Sequence, residues 1–241
     1  MDTTLYIVTG ASRGLGRALV QQLLQQGHRV LGLARQPTPS PGSAGLEQWA
    51  VDLADPLPVA QRLAAWLAVQ APVPAVLINN AGVVPAPAPL ADSALDELSN
   101  ALRVGVEAPL LLSAAFLRAT AQWPTPRKVL NISSGLGRRA MAGSAAYCAA
   151  KAGMDHFSRA LALELAGSGA AVVSLAPGVI DTDMQVQLRG ADPQRFKDQP
   201  RFAELKSGGL LASPDEAAAK VLRILQRPDF GADPIADVRD A

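Results

Sequence analysis

The chain has 241 residues, with 22 Lys plus Arg against 21 Asp plus Glu and a formal net charge of +1. So balanced a chain carries no electrostatic footprint for nucleic acid or an acidic membrane, and its length suits one α/β domain burying roughly 70–75% of its unfolded surface around a small-molecule cleft. Cys148 is the sole cysteine, which excludes an intramolecular disulfide, and no secretory segment precedes Leu5 to Val8, so a reducing cytoplasm is the expected compartment. Hydrophobic residues make up 49% of the chain, in short runs broken by Gly, Pro and charge. None is expected to reach membrane length.

Taken in chain order, β-branched runs alternate with helix-length segments, the pattern of βαβ crossovers onto a parallel sheet covered on both faces. Strands are predicted near 4–9, 29–34, 47–51, 75–79, 127–132, 170–175 and 232–236, and helices near 14–26, 57–70, 94–121, 145–166 and 213–226. Leu46 to Asp52 is the least regular of the strand runs. Segments 36–45, with Pro37, Pro39 and Pro41, and 83–92, with Pro85, Pro87 and Pro89, read as exposed connections. The fold class is α/β, a single doubly wound domain.

Gly10-Ala11-Ser12-Arg13-Gly14-Leu15-Gly16 follows the first strand and opens the first helix. Glycines at such a turn let backbone N–H groups approach a pyrophosphate while the helix N-terminus supplies partial positive charge. In a dinucleotide-binding βαβ unit, an acid at the end of the second strand would accept bonds from a ribose 2′-OH and repel a 2′-phosphate. Here that strand ends in Arg35, and Arg13 stands in the turn. Two guanidiniums fork a phosphate, so NADPH is favoured over NADH.

Tyr147 and Lys151 are four residues apart in a helix-like segment, on one face. A cation beside a phenol favours phenolate and lowers the Tyr pKa from about 10 toward working pH. Upstream, Asn131-Ile132-Ser133-Ser134-Gly135 closes a strand at the sheet's carboxyl end, where ligands bind. Ser134 is the hydroxyl placed against a substrate carbonyl, with Ser133 as its rival.

With these motifs in this order, the sequence resembles the short-chain dehydrogenase/reductase family along nearly its whole length. The matching stretches are Thr9 to Gly16, Asp52-Leu53, Asn79-Asn80-Ala81-Gly82, Ser134, Tyr147 to Lys151, and Pro177-Gly178-Val179-Ile180-Asp181-Thr182. The resemblance implies a Rossmann domain whose seven-stranded, mainly parallel sheet has the order 3-2-1-4-5-6-7. It also implies Ser134, Tyr147 and Lys151 as catalytic residues. The implied cofactor contacts are Gly10, Ser12, Arg13, Gly14, Leu15, Gly16, Arg35, Asp52, Leu53, Asn80, Ala81, Gly82, Tyr147, Lys151, Pro177, Gly178, Ile180 and Thr182, with no metal.

The C-terminal third is similar to the sepiapterin reductase branch, which places Asp237 where an aspartate anchors a pterin edge and adds Gly178 and Met184 to Ser134 and Tyr147 as substrate contacts. One departure from the family's pattern is Gly105, where the central helix usually carries an Asn that holds a relay water. Asn100 is not its positional substitute. Close packing or a water would fill the missing side chain.

The expected reaction is NADPH-dependent reduction of a ketone of a cyclic or aryl dicarbonyl. A 3-oxoacyl thioester is the alternative substrate, and a non-catalytic NADPH-binding sensor the alternative role. Segment 183–210 is the expected substrate lid, made apolar by Met184, Leu188, Phe196 and Phe202. Apolar faces on helices 94–121 and 145–166 suggest a homodimer, or a tetramer.

Overall fold

The computed structural model describes residues 3–38 and 44–240, so Pro39 and Pro41 of the 36–45 connection lie outside the described residues. Seven strands form one sheet: β1 (Leu5–Thr9), β2 (Arg29–Ala34), β3 (Leu46–Ala50), β4 (Ala75–Asn79), β5 (Arg127–Ile132), β6 (Ala170–Ala176) and β7 (Ile235–Asp237). Their order is β3-β2-β1-β4-β5-β6-β7, and every pairing is parallel.

The two-residue period of a strand explains the layers. Tyr6 and Val8 point into the core packed by helices α1 (Gly14–Gln25) and α8 (Pro214–Gln226), while Leu5 and Ile7 point into the core packed by α2 (Pro56–Ala68) and α4 (Ala108–Ala119). Pro214 at the first turn and a capping box between Ser213 and Glu216 fix the start of α8.

Five features add to or differ from the expected elements. The helix expected over 94–121 is α3 (Leu95–Leu102), a π-helical turn at Arg103–Glu107, then α4. This run, Leu95–Ala119, is also long and apolar enough to cross a membrane by length and composition, with a mean hydropathy of 1.3, against the expectation that no stretch would be. In the fold, its α4 half packs against α2.

Segment 183–210 holds two short helices, α6 (Asp183–Arg189) and α7 (Gln199–Ser207). The last strand starts later than 232, because Asp229 accepts from Ala232 N and the Asp233 side chain accepts from Ile235 N at 2.9 Å, keeping the chain in turns. Finally, 83–92 is not wholly exposed: Pro87 and Ala88 are buried, and Ala88 N donates to Gly143 O at 3.1 Å.

Candidate active site

Strand order reverses between β1 and β4, and beyond the carboxyl ends of the strands lies a cleft of about 2000 Å³. Every residue singled out above as catalytic, cofactor-binding or substrate-binding lines it.

Its floor is the glycine turn. Gly10 and Gly14 have φ of 67° and 52°, backbone that L side chains rarely adopt. At Gly16 the constraint is space: a Cβ would lie 2.2 Å from Gly10 O and 2.5 Å from Asn80 Nδ2. Asn80 and Ala81 donate their N–H groups to Thr9 Oγ1, each at 3.0 Å, and Asn80 Nδ2 donates to Thr9 O at 2.9 Å. The ends of β1 and β4 are thereby stitched together under the turn. No side chain caps α1, so its first-turn N–H groups remain available to a pyrophosphate. The turn fits a dinucleotide.

At one end of the cleft Arg35 is exposed beside Ser12, Thr38 and Asp52. Arg13 forms an ion pair at 2.8 Å with Asp183 of α6, both side chains solvated. That is a weak surface tie, and it joins the glycine turn to the helix above it. Asp52 Oδ1 accepts from Ala54 N at 3.0 Å, shaping the loop in which Leu53 is buried. Across the cleft, Gly178 has φ of 80°, Ile180 bridges to Ala212, and Thr182 meets Gly14, whose Cβ position is 3.2 Å from Thr182 Cγ2.

In α5 (Ala145–Glu164), Tyr147 and Lys151 are 9% and 4% exposed. The two candidate serines point apart. Ser133 Oγ donates to the buried Asp155 at 2.6 Å, whereas Ser134 accepts from Leu136 N at 3.2 Å and acts on the Tyr147 phenol. Lys151 Nζ donates to Ile132 O at 2.7 Å and lies 5.7 Å from the Tyr147 ring centroid.

Burial pushes the Tyr147 phenol up to about 12, opposed by the Ser134 hydrogen bond. The expected lowering is not seen: desolvation by burial is the largest effect on the phenol, and the effect opposing it comes from Ser134. Burial brings the Lys151 ammonium down to about 8, opposed by the negative charge of Asp155.

Gly105 lies in the π-helical turn, and a Cβ there would come within 2.8 Å of Ala150 Cβ, so close helix packing explains the glycine. Asn100 lines the cleft from α3. Asp237 lines it too, but its oxygens accept from Arg239 Nε at 2.8 Å and Nη2 at 2.6 Å. In the segment expected as a lid, Met184, Leu188 and Phe202 line the cleft. Phe196 instead is buried against Gly143 and stacks on Phe202. Asp155 and Arg138 were missed, although the spacing Tyr147, Lys151, Asp155 repeats one helical face and is visible in the sequence.

The family described as short chain dehydrogenase matches residues 4–193, and the chain belongs to it. A benzil reductase ((S)-benzoin forming) of Bacillus subtilis (strain 168) is 36% identical over 228 residues, covering 92% of this chain and 93% of the relative. A 3-oxoacyl-[acyl-carrier-protein] reductase of Salmonella typhimurium is 34% identical, covering 78% of each. An NADPH-dependent pterin aldehyde reductase of Arabidopsis thaliana is 32% identical, covering 82% of this chain and 83% of the relative. The chain is therefore an oxidoreductase of C=O/CH–OH groups that uses a nicotinamide cofactor.

Proposed function

We propose that this enzyme reduces one carbonyl of a cyclic or aryl 1,2-dicarbonyl of the benzil type, with NADPH as reductant. The observation that carries the reading is the meeting of Ser134, Tyr147 and Lys151 at the carboxyl end of β5, in a cleft walled by Met141, Met184, Leu188, Phe202 and Leu205. Support for the aryl diketone over a pterin comes from Asp237, whose carboxylate Arg239 already satisfies, and from the benzil reductase relative. Support for NADPH comes from Arg35 at the position where an NAD-selective acid would stand.

The glycine turn and α1 would hold the pyrophosphate, Asp52 and Leu53 the adenine side, and Lys151, Ile180 and Thr182 the nicotinamide side. The cofactor supplies a hydride to the carbonyl carbon. Ser134 donates a hydrogen bond to the carbonyl oxygen and polarises it; Tyr147 gives that oxygen its proton. With its pKa near 12 the phenol is fully protonated at neutral pH, which suits reduction. Lys151, near 8, is mostly an ammonium there and stabilises the phenolate left behind.

We also infer a cytoplasmic homodimer. Leu95 and Leu163 are 82% and 81% exposed on α3 and α5, apolar surface that a two-fold helical interface would bury. NADPH oxidation measured against benzil, sepiapterin and a 3-oxoacyl thioester, with NADH in parallel, tests the reading. Preferential NADPH-dependent turnover of benzil is the expected result. Preference for the thioester would reassign the substrate, and cofactor binding without turnover of any carbonyl would make the chain a sensor.

A further inference from the structure

Asp155 lies one helical turn beyond Lys151 and is 1% exposed. Both its oxygens are engaged. Oδ1 accepts from Ser133 Oγ at 2.6 Å and Ser174 Oγ at 2.7 Å, and Oδ2 accepts from Arg138 Nε at 3.1 Å. Burying a carboxylate this deep is costly unless donors and an opposite charge surround it, and Arg138 supplies that charge. The same guanidinium donates to Ala236 O at 2.9 Å and lies 3.9 Å from Asp237, tying α5 to the last strand.

Gly137 lets the turn after β5 lie flat on this stretch of helix. A Cβ there would be 2.9 Å from the Lys151 backbone and 3.1 Å from Asp155 Oδ2. One face of α5 thus grips the last residue of β5 and the one that follows: Lys151 holds Ile132 O, and Asp155 holds Ser133. Because extended backbone alternates its side chains, a Ser133 turned down to Asp155 leaves Ser134 facing the cleft.

We propose that Asp155 is a positioning residue of the carbonyl-reducing site: it fixes Ser133 so that Ser134 meets Tyr147, and it sets a buried carboxylate one helical turn from Lys151. The proposal rests on the reading of Ser134, Tyr147 and Lys151 given above. The titratable and charged groups around Lys151 are Tyr147, Cys148 and Asp155 on its own helix, Arg138 and Arg139 on the turn after β5, and Asp237 on β7. Of the other elements packed on α5, β6 offers Ser174, α3 carries Asp96 and Glu97, the π-helical turn carries Arg103 and Glu107 and meets Ala150 through Gly105, and α4 carries Arg118.

Two substitutions push Lys151 in opposite directions. Asp155→Asn removes the negative charge, so Lys151 should titrate lower by about one pH unit or more. Arg138→Gln leaves that charge uncompensated, so Lys151 should titrate higher. NMR titration of the full chain labelled with 13C at lysine Cε, with Lys151 assigned by substitution, reads both without a substrate. An unmoved Lys151, or one moved the same way in both variants, overturns the electrostatic role. If Asp155→Asn does not fold, an unmoved or lowered value in Arg138→Gln does so alone.

Ser133→Ala keeps the charge but frees the strand end. It should lower kcat on benzil roughly tenfold with the lysine titration unmoved, and an unchanged kcat overturns the gripping role. Because the titration needs no substrate, its failure is distinct from a failure of wild-type protein to reduce benzil.

Discussion

Gly16 has less room than any other glycine of the cleft floor, since a methyl group there would sit 2.2 Å from Gly10 O and 2.5 Å from Asn80 Nδ2. Gly16→Ala should therefore shift the turn, destabilise the fold by about 1–3 kcal/mol and weaken NADPH binding, read by thermal melting and by NADPH fluorescence titration. Arg35 tests cofactor choice on the same floor. Arg35→Asp sets a carboxylate against the 2′-phosphate, and the ratio of kcat/KM for NADPH over NADH should fall by at least about tenfold, the effect of roughly 1.4 kcal/mol; an unchanged ratio would remove Arg35 from cofactor selection.

The two buried titrating groups fix the direction of the pH dependence. Reduction consumes a proton held by a phenol near 12, and the Lys151 charge that supports this is lost as pH rises through about 8. Activity should be sustained at neutral pH and decline above about 8, checked by a kcat/KM profile from pH 6 to 10. At this scale the glycine turn and the Tyr147, Lys151 pair were legible from spacing, and the rest of the site from the family resemblance. The sequence set Ser134 against the carbonyl with Ser133 as rival, but Asp155 reaching across from α5 to hold Ser133 is a contact that spacing does not encode.

Among the elements, the long helix shows what periodicity misses. A π-helical turn inserts one residue without altering the run of apolar side chains, so Arg103–Glu107 read as uninterrupted α-helix. That turn brings Gly105 against Ala150 on the catalytic helix. Gly105→Asn, which restores the usual family residue, should lower the melting temperature, and Ala150→Gly in the same chain should recover part of the loss. Absence of any effect in the single variant would contradict the close packing.

The strands at 29–34, 75–79 and 127–132 were readable to the residue, because dense apolar runs end sharply at polar or turn residues. The lid segment was not. Its helices α6 and α7 are short, α7 has no buried residue, and the surrounding turns depend on side-chain bonds such as Gln199 Nε2 to Arg189 O at 2.6 Å.

At the scale of the molecule, the alternation of strands and helices called for parallel strands whose crossovers cover both faces, while the strand order was implied by the family resemblance. How the C-terminal strand is secured did not follow. Arg138 joins α5, β6 and β7 through Asp155, Ser174 O and Ala236 O, a set of contacts from four separate parts of the chain. The exposed leucines of α3 and α5 belong to this scale as well. Light scattering across protein concentration should give the mass of a dimer, and a constant mass of 25.0 kDa would contradict it.

The most direct test of carbonyl reduction at this site is Tyr147→Phe, which removes one oxygen from a buried ring and leaves the glycine turn untouched. NADPH binding should be retained while benzil turnover falls on the order of 10²–10⁴-fold, the usual contribution of a positioned acid. Turnover within about twofold of the parent enzyme would contradict the assignment of Tyr147 as the proton donor.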